Sequence, residues 1–330
     1  MAFDVGGISQ WNNEIADRSK LILKPILGAR SMDFMEKYSG ITGENVKLPI
    51  FETTAPFQAG ASCGFTTSGT TTLTQFTMTT SPIIVQEQIC LQDLETKFAK
   101  AWLPPGTSQW DTFTLVDEWV NRKLAQVSKS IEQLIWQGNT AYTNSTVLKQ
   151  INGLIKKIDD ASDEIVVTAT ADITTSNVRT IFEEAIFNAT TGLANIPDIF
   201  QEEILILCGM DTFMILQNKM LTDNLYHFPP MGADVDKWEL TYPGTNFKVR
   251  AVPGLNANNP VDTGSLPAAV KDRIVATYKG NLAVGFNAEN DVKDFEVWYS
   301  QDDRVLRMSA RFHIGVGVKF TDKVVTYANS

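Results

Sequence analysis

The sequence predicts an α+β fold in which one long helix braces sheets assembled from segments far apart in the chain. Three stretches carry the prediction. Leu115 to Gln137 places Val116, Trp119, Val120, Leu124, Val127, Ile131, Leu134 and Ile135 on the i, i+3, i+4 stripe of an amphipathic helix. Thr66 to Thr80 is rich in threonine, with Leu73, Gln75 and Thr77 alternating against Phe76 and Met78, which reads as extended backbone. Met308 to Phe320 alternates Met308, Ala310, Phe312, Ile314, Val316, Val318 and Phe320 with Ser309, Arg311, His313, Gly315, Gly317 and Lys319, so a long strand has one apolar face.

Taken in order, residues 1 to 46 mix short apolar turns with Gly, Asn and Ser and read as an arm with little core of its own. From Lys47 to Leu91 the β-branched residues flank Ser68-Gly69, which predicts a long, thin hairpin turning there. An isolated two-stranded ribbon is marginal in water, so Phe57, Phe65, Phe76 and Met78 are expected to bury against another subunit. The long helix has a start signal in Thr114 with Asp117 and a left-handed stop in Gly138. A further helix is expected from Ser176 to Ala189, through Val178, Ile181, Phe182, Ala185 and Ile186. Ile204 to Leu207 reads as a buried strand leading into a helix near Asp211 to Leu221, and Phe247 to Val252 as another strand. Pro253 to Pro267 reads as a surface loop, a poor place for core. Phe295 to Tyr299 pairs with the long last strand across Ser300 to Arg304.

The chain of 330 residues is 43% hydrophobic and 20% charged, an ordinary globular composition. Its apolar runs, such as Ile204 to Cys208, stop far short of the roughly 20 residues of a spanning helix, so no membrane partner is expected. The first residues show no basic cluster followed by an apolar core, so no secretory signal is read there. Asn144-Ser145-Thr146 and Asn188-Ala189-Thr190 are then chance matches to the glycosylation pattern. Cys63, Cys90 and Cys208 are far apart and form no CxxC pair, which suggests reduced thiols and no zinc site. A net charge of -10 opposes a surface that grips nucleic acid throughout, yet is compatible with a container whose contents must slide and leave.

Phosphate-cradling, dinucleotide, nucleophile-elbow, HExxH and calcium-loop patterns are all missing, and no cofactor or metal is expected. Only two histidines, His227 and His313, offer acid/base chemistry. Cys63 or Cys208 served by His227 lacks any local sequence link, and His227 reads as packed in a loop. The doublets Glu183-Glu184, Glu202-Glu203 and Asp302-Asp303 read as solvated faces and turns. Gly315 and Gly317 inside a strand mark a bulge or close packing. Arg304, Arg307 and Arg311 lie near or along the last strand, Arg307 and Arg311 on one face; a solvated edge and an intersubunit salt-bridge row both remain open.

This order of parts resembles the major capsid proteins of tailed double-stranded DNA bacteriophages, the Hong Kong 97 fold, over nearly the whole chain. The most specific piece is Glu132-Gln133-Leu134-Ile135-Trp136-Gln137-Gly138-Asn139, which looks like the end of the spine helix in such proteins. The resemblance implies an N-terminal arm at 1–46, an extended hairpin loop at 47–91 and a peripheral domain at 92–175 holding the spine helix. An axial domain at 176–267 and a peripheral sheet return at 268–330 follow, with strand contributions near Ile151 to Val167. It implies no enzyme but a structural protein assembled as hexamers and pentamers into an icosahedral shell around double-stranded DNA. Portal, scaffolding and decoration proteins would be partners, the DNA would be enclosed without sequence-specific binding, and assembly would take place in the bacterial cytoplasm. An encapsulin-like nanocompartment is the alternative within the fold, and an unrecognised cytoplasmic α/β enzyme the alternative outside it. Some relatives weld subunits through a lysine of the extended loop, and from Phe51 to Asp93 this sequence has none, so unlinked shells are expected. The stretch before Lys47 is short and interrupted by Gly6-Gly7, Pro25 and Gly28, so no long helical scaffolding segment, and no cleavage of one, is expected.

Overall fold

The computed structural model describes residues 29–41, 45–54, 57, 69–90, 112–143, 145–168, 172–196, 199–223, 238–256, 272–287, 295–303 and 305–328. Its longest element is the helix α1, Thr112–Gln137. It begins three residues before the expected start, which places Thr114 inside it rather than at its cap. At the other end Gly138 stays out of the left-handed region. A Cβ there would come within 2.5 Å of the Ile151 carbonyl oxygen and 2.6 Å of that of Leu134. Gly138 also accepts a 2.8 Å bond from the Gly153 N–H, so the helix stops because another backbone lies against it.

Two sheets share this helix. The first is five-stranded and central on β12 (Val305–Val318). One edge of β12 pairs with β4 (Ser81–Cys90) over its length from Val305 to Ile314. The other edge pairs with β11 (Phe295–Ser300) and then β10 (Leu282–Asn287), and β1 (Glu36–Ser39) runs parallel to β10. The alternation read in the sequence sets this sheet's faces. Leu306, Met308, Ala310, Phe312, Ile314, Val316 and Val318 point into the core with Leu124, Ile131 and Ile135 of α1. Arg307, Ser309, Arg311 and His313 take the other side by the strand's period of two.

The second sheet has six strands in the order β5 (Ile165–Thr168), β13 (Val325–Ala328), β9 (Ile274–Tyr278), β6 (Ile204–Cys208), β8 (Lys248–Ala251) and β7 (Glu239–Thr241). Every residue of β6 is buried because both faces of the sheet are covered. Leu205, Leu207 and Val275 join the core of α1 and of α2 (Leu154–Asp159), while Ile204, Ile206 and Ile274 join that of α3 (Val178–Phe187) and α4 (Met210–Thr222). The residues expected to be the inner stripe of α3 are its buried ones. Asn188, within one of the glycosylation matches, instead shapes the helix exit, accepting the Thr190 N–H at 2.8 Å.

Several expectations are corrected by this packing. The segment 29–41 carries core of its own: Met32, Phe34 and Met35 are buried with α1, and Ser31 is clamped to it. The ribbon pairs β2 (Asn45–Thr54) with β3 (Thr70–Thr79), so the strands lie on either side of 55–69 rather than of Ser68-Gly69. Of the stretch Ile151 to Val167 expected to give strand, Leu154–Asp159 forms α2, which follows a 3-10 turn at Leu148–Gln150, and strand begins only at Ile165. The strand that follows, β5, lies in the six-stranded sheet, as do β9 and β13, so the stretch 268–330 supplies both sheets and not one. The Pro253 to Pro267 loop starts as core: Leu255 is buried, and a Cβ on Gly254 would strike Trp136 and the Glu132 carbonyl.

Candidate functional site

No group of three or more His, Cys, Asp or Glu side chains converges among the described residues. Cys208 is fully buried, and burial pushes its thiol far up, away from the thiolate a nucleophile requires. His227 and Cys63 lie outside the described residues, and no described helix is long and apolar enough to cross a membrane. The acidic doublets are met by cations at the surface: Glu183 by Arg179, Glu203 by Lys248 and Lys279, and Asp303 by Arg307.

The molecule's chemistry of contact lies on its surface. The ribbon has two faces. On one, Phe76 and Met78 pack into the chain's own first sheet beside Ile41 and Ala283. The seat for them is made of glycines: a Cβ on Gly285 would come within 2.5 Å of the Met78 sulfur, one on Gly317 would strike the Phe76 ring, and one on Gly315 the Thr79 carbonyl. Phe76 and Met78 are thus corrected from subunit interface to intramolecular core. The sequence showed a ribbon too poor to stand alone; it did not show that the partner surface, a glycine-flattened sheet, belonged to the same chain.

The far end of the ribbon has no such seat. Phe51 and Leu73 are cross-strand partners on the face opposite Phe76, and they are 70% and 59% exposed. Phe57 is fully exposed, and Phe65 lies outside the described residues. Exposed aromatic and aliphatic side chains paired this way are unusual on a chain that works alone.

A second surface is the outer face of the first sheet where the ribbon does not cover it. Trp298, Arg307 and Gln88 are neighbours across β11, β12 and β4, and Ile84 pairs with Arg311. Trp298 and Ile84 are exposed, and Trp298 and Arg307 border a shallow groove of about 380 Å³. Arg307 is bound by Asp303 of its own chain, which favours a satisfied turn over an intersubunit salt-bridge row at that residue. Arg311 is exposed on the same face, and Arg304 lies outside the described residues. A third apolar patch, missed by sequence reasoning, is Met214 and Leu221, seven residues apart on the outward side of α4. Its signal was the presence of two large apolar residues on the polar side of a predicted amphipathic helix.

A buried polar junction ties these parts together. Glu132 of α1 accepts the Ser31 N–H at 2.9 Å and the Ser31 hydroxyl at 2.6 Å, and the Trp136 Nε1–H donates to that hydroxyl oxygen at 2.6 Å. The Gln137 side-chain amide donates to the Gly254 carbonyl at 2.6 Å. Burial raises the Glu132 pKa above its ordinary value, although hydrogen bonds from Ser31 and Gly254 oppose the shift. Helix, N-terminal segment and the turn after β8 are therefore held as one piece.

No protein-family model and no curated protein matches the sequence. Solved structures do match in fold. A chain of the satellite phage P4 procapsid including size determination (Sid) protein aligns at TM-score 0.54 and 12% identity, over 94% of this chain and 98% of that one. Gordonia phage Cozz aligns at TM-score 0.54 and 11% identity, over 90% and 85%. The capsid of Myoviridae phage XM1 aligns at TM-score 0.52 and 12% identity, over 88% and 87%.

Proposed function

We propose, for a chain that has the Hong Kong 97-type fold of phage capsid proteins, that it is a major capsid protein assembling with itself into an icosahedral shell. The observation that carries this reading is the likeness in fold to a chain of a satellite phage procapsid, over 94% of this chain and 98% of that one, and to a phage capsid, over 88% and 87%. The unpartnered apolar surfaces support it: Phe51 and Leu73 on the ribbon, Trp298 and Ile84 on the sheet, Met214 and Leu221 on α4. Contacts among identical copies, each modest, sum through multivalency.

On this reading α1 is the spine, the ribbon is the extended loop reaching a neighbour through Phe51, Leu73 and Phe57, and the first sheet with α1 and α2 is the peripheral domain. The six-stranded sheet with α3 and α4 is the axial domain, its outward patch turned to the symmetry axes of hexamers and pentamers. Double-stranded DNA is enclosed without reading of its sequence, and a portal and a scaffolding or decoration protein complete the particle, assembled in the bacterial cytoplasm. The test is expression of the chain, alone and with its neighbouring genes, followed by negative-stain microscopy and analysis of particle contents. Closed shells of uniform size are expected. A monodisperse monomer under both conditions would overturn the reading, and shells filled with protein and free of DNA would turn it toward a nanocompartment.

A further inference from the structure

Between α3, the second half of α4 and the turn after β7 lies a cleft of about 290 Å³. Pockets for small ligands run from about 300 to 1,000 Å³, so this one has room for one or two side chains. Its walls are apolar: Leu216 and Met220 of α4, Pro243 of the turn, and Phe187, whose ring is half exposed. The turn is stiff. Pro243 and Gly244 hold its two central positions, Gly244 at φ +77°, and the Thr245 N–H closes it on the Tyr242 carbonyl at 3.1 Å, the arrangement of a type II turn. The cleft therefore stands before anything enters it. Four charges edge it and leave nothing over: Arg179 binds Glu183 at 2.8 Å and lies 3.6 Å from Asp223, which Lys219 binds at 2.9 Å. A charged occupant gains little from a set already closed on itself.

Tyr242 is the unspent group. It is 5% exposed, with its ring stacked on Phe182 at a centroid distance of 6.3 Å. Its hydroxyl opens on the cleft and has no hydrogen-bond partner among the described residues. Burial, with the Glu183 carboxylate nearby, pushes its pKa up to about 12, so the hydroxyl is a standing donor. The cleft thus suits a neutral, apolar side chain that carries an acceptor. The chain displays one on its own surface: Met214 is 55% exposed, and Leu221 on the same side of α4 is 47% exposed. A thioether is flexible, fills irregular gaps and accepts weakly through its sulfur. At about 100° per residue, Met214 stands roughly 200° around α4 from Leu216, and Leu221 roughly 200° from Lys219 and Asp223. Both are turned away from the cleft, so no subunit can fill its own. Knob and cleft on opposite sides of one domain make a head-to-tail contact, which closes into a ring and does not pair two copies about a two-fold axis. We propose that Met214 of one subunit seats in the Tyr242 cleft of the next around each ring of the shell, with Leu221 against its rim; this rests on the shell reading above.

The experiment places thiols on the two sides of this seam. Shells of the Met214→Cys/Phe187→Cys chain, treated with a short bismaleimide, should give a reductant-resistant ladder reaching pentamers and hexamers on a denaturing gel. Each single variant, which keeps Cys63, Cys90 and Cys208, should give no more than the unaltered chain does. Where Met214→Cys itself hinders assembly, Leu221→Cys/Phe187→Cys takes its place with Met214 intact. Shells that form without a ladder, or with one that stops at dimers, would overturn the seam and leave the shell reading intact. In parallel, Met214→Asp brings a carboxylate against Glu183 of the neighbouring subunit. The concentration needed for assembly should rise about tenfold or more, while the urea midpoint of the subunit stays where it was, because Met214 is exposed. Assembly at the ordinary concentration would overturn the inference, and so would a lowered midpoint, which would mean that Met214 is held by its own chain. Absence of shells from the unaltered chain would sink the shell reading itself.

Discussion

Phe76 shows how one residue can be read correctly in kind and wrongly in place. Its burial was legible because a large aromatic in a threonine ribbon has to be covered. That the cover is Gly317, with Ile41 and Ala283 of the same cluster in the same chain, was not, since those residues lie far away in sequence. Phe76→Asp is therefore expected to unfold the subunit rather than spare it, and Phe76→Ala to cost about 3–5 kcal/mol, read from urea midpoints. Gly315→Ala drives a Cβ into the Thr79 carbonyl, a backbone atom with little room to yield; it should destabilise by about 1–3 kcal/mol with no change in the surfaces that face solvent. Glu132 offers a pH test. Its carboxyl is held above its ordinary value of 4.5, so the folded state binds the proton more tightly than the unfolded one. Its contribution to stability is fully present below pH 4.5 and declines as pH rises through the raised pKa. Glu132→Gln cannot ionise, so its stability relative to the unaltered chain should rise as pH goes from below 4.5 to neutral in thermal melts; a relative stability independent of pH would contradict the assignment.

At the scale of elements, the helices and the long strand follow from local period. α3, α4, β6 and β12 begin and end within two residues of where periodicity puts them, except that the last strand starts earlier, at Val305. The ribbon did not follow, because threonines alternate equally well around several turn positions and nothing local selects the register. Its pairing of Asn45 with Thr79 is set by the seating of Phe76 and Met78. This division yields a prediction for the ribbon's free end. Phe51→Ser with Leu73→Ser should leave subunit stability within about 0.5 kcal/mol, as surface changes usually do, while sharply reducing shell yield by light scattering and microscopy. Loss of subunit folding would show that the far end is also seated on its own chain.

For the whole molecule, the stretch from Phe51 to Asp93 offers no lysine amine for an amide weld. Assembled shells boiled in detergent should therefore run as a single subunit band on a denaturing gel, and a reductant-resistant ladder would refute this. The two cores meet at the strands Ile204–Cys208 and Ile274–Tyr278 of the six-stranded sheet, whose alternate residues enter one core and the other. One cooperative unfolding transition is expected in place of two, checked by coincident near- and far-ultraviolet dichroism. The sequence by itself determined the class of fold, the long helix, the inner face of the last strand and the order of parts, because period and composition are local properties. It also supported the resemblance to capsid proteins through that order. Tertiary structure alone decided which sheet each late strand joins, that residues 29–41 belong to the core, and that the ribbon's apolar side is spent within the subunit. Those choices depend on surfaces that meet only after folding, where glycines such as Gly138 and Gly315 act by leaving room for another backbone that nothing nearby in the chain announces.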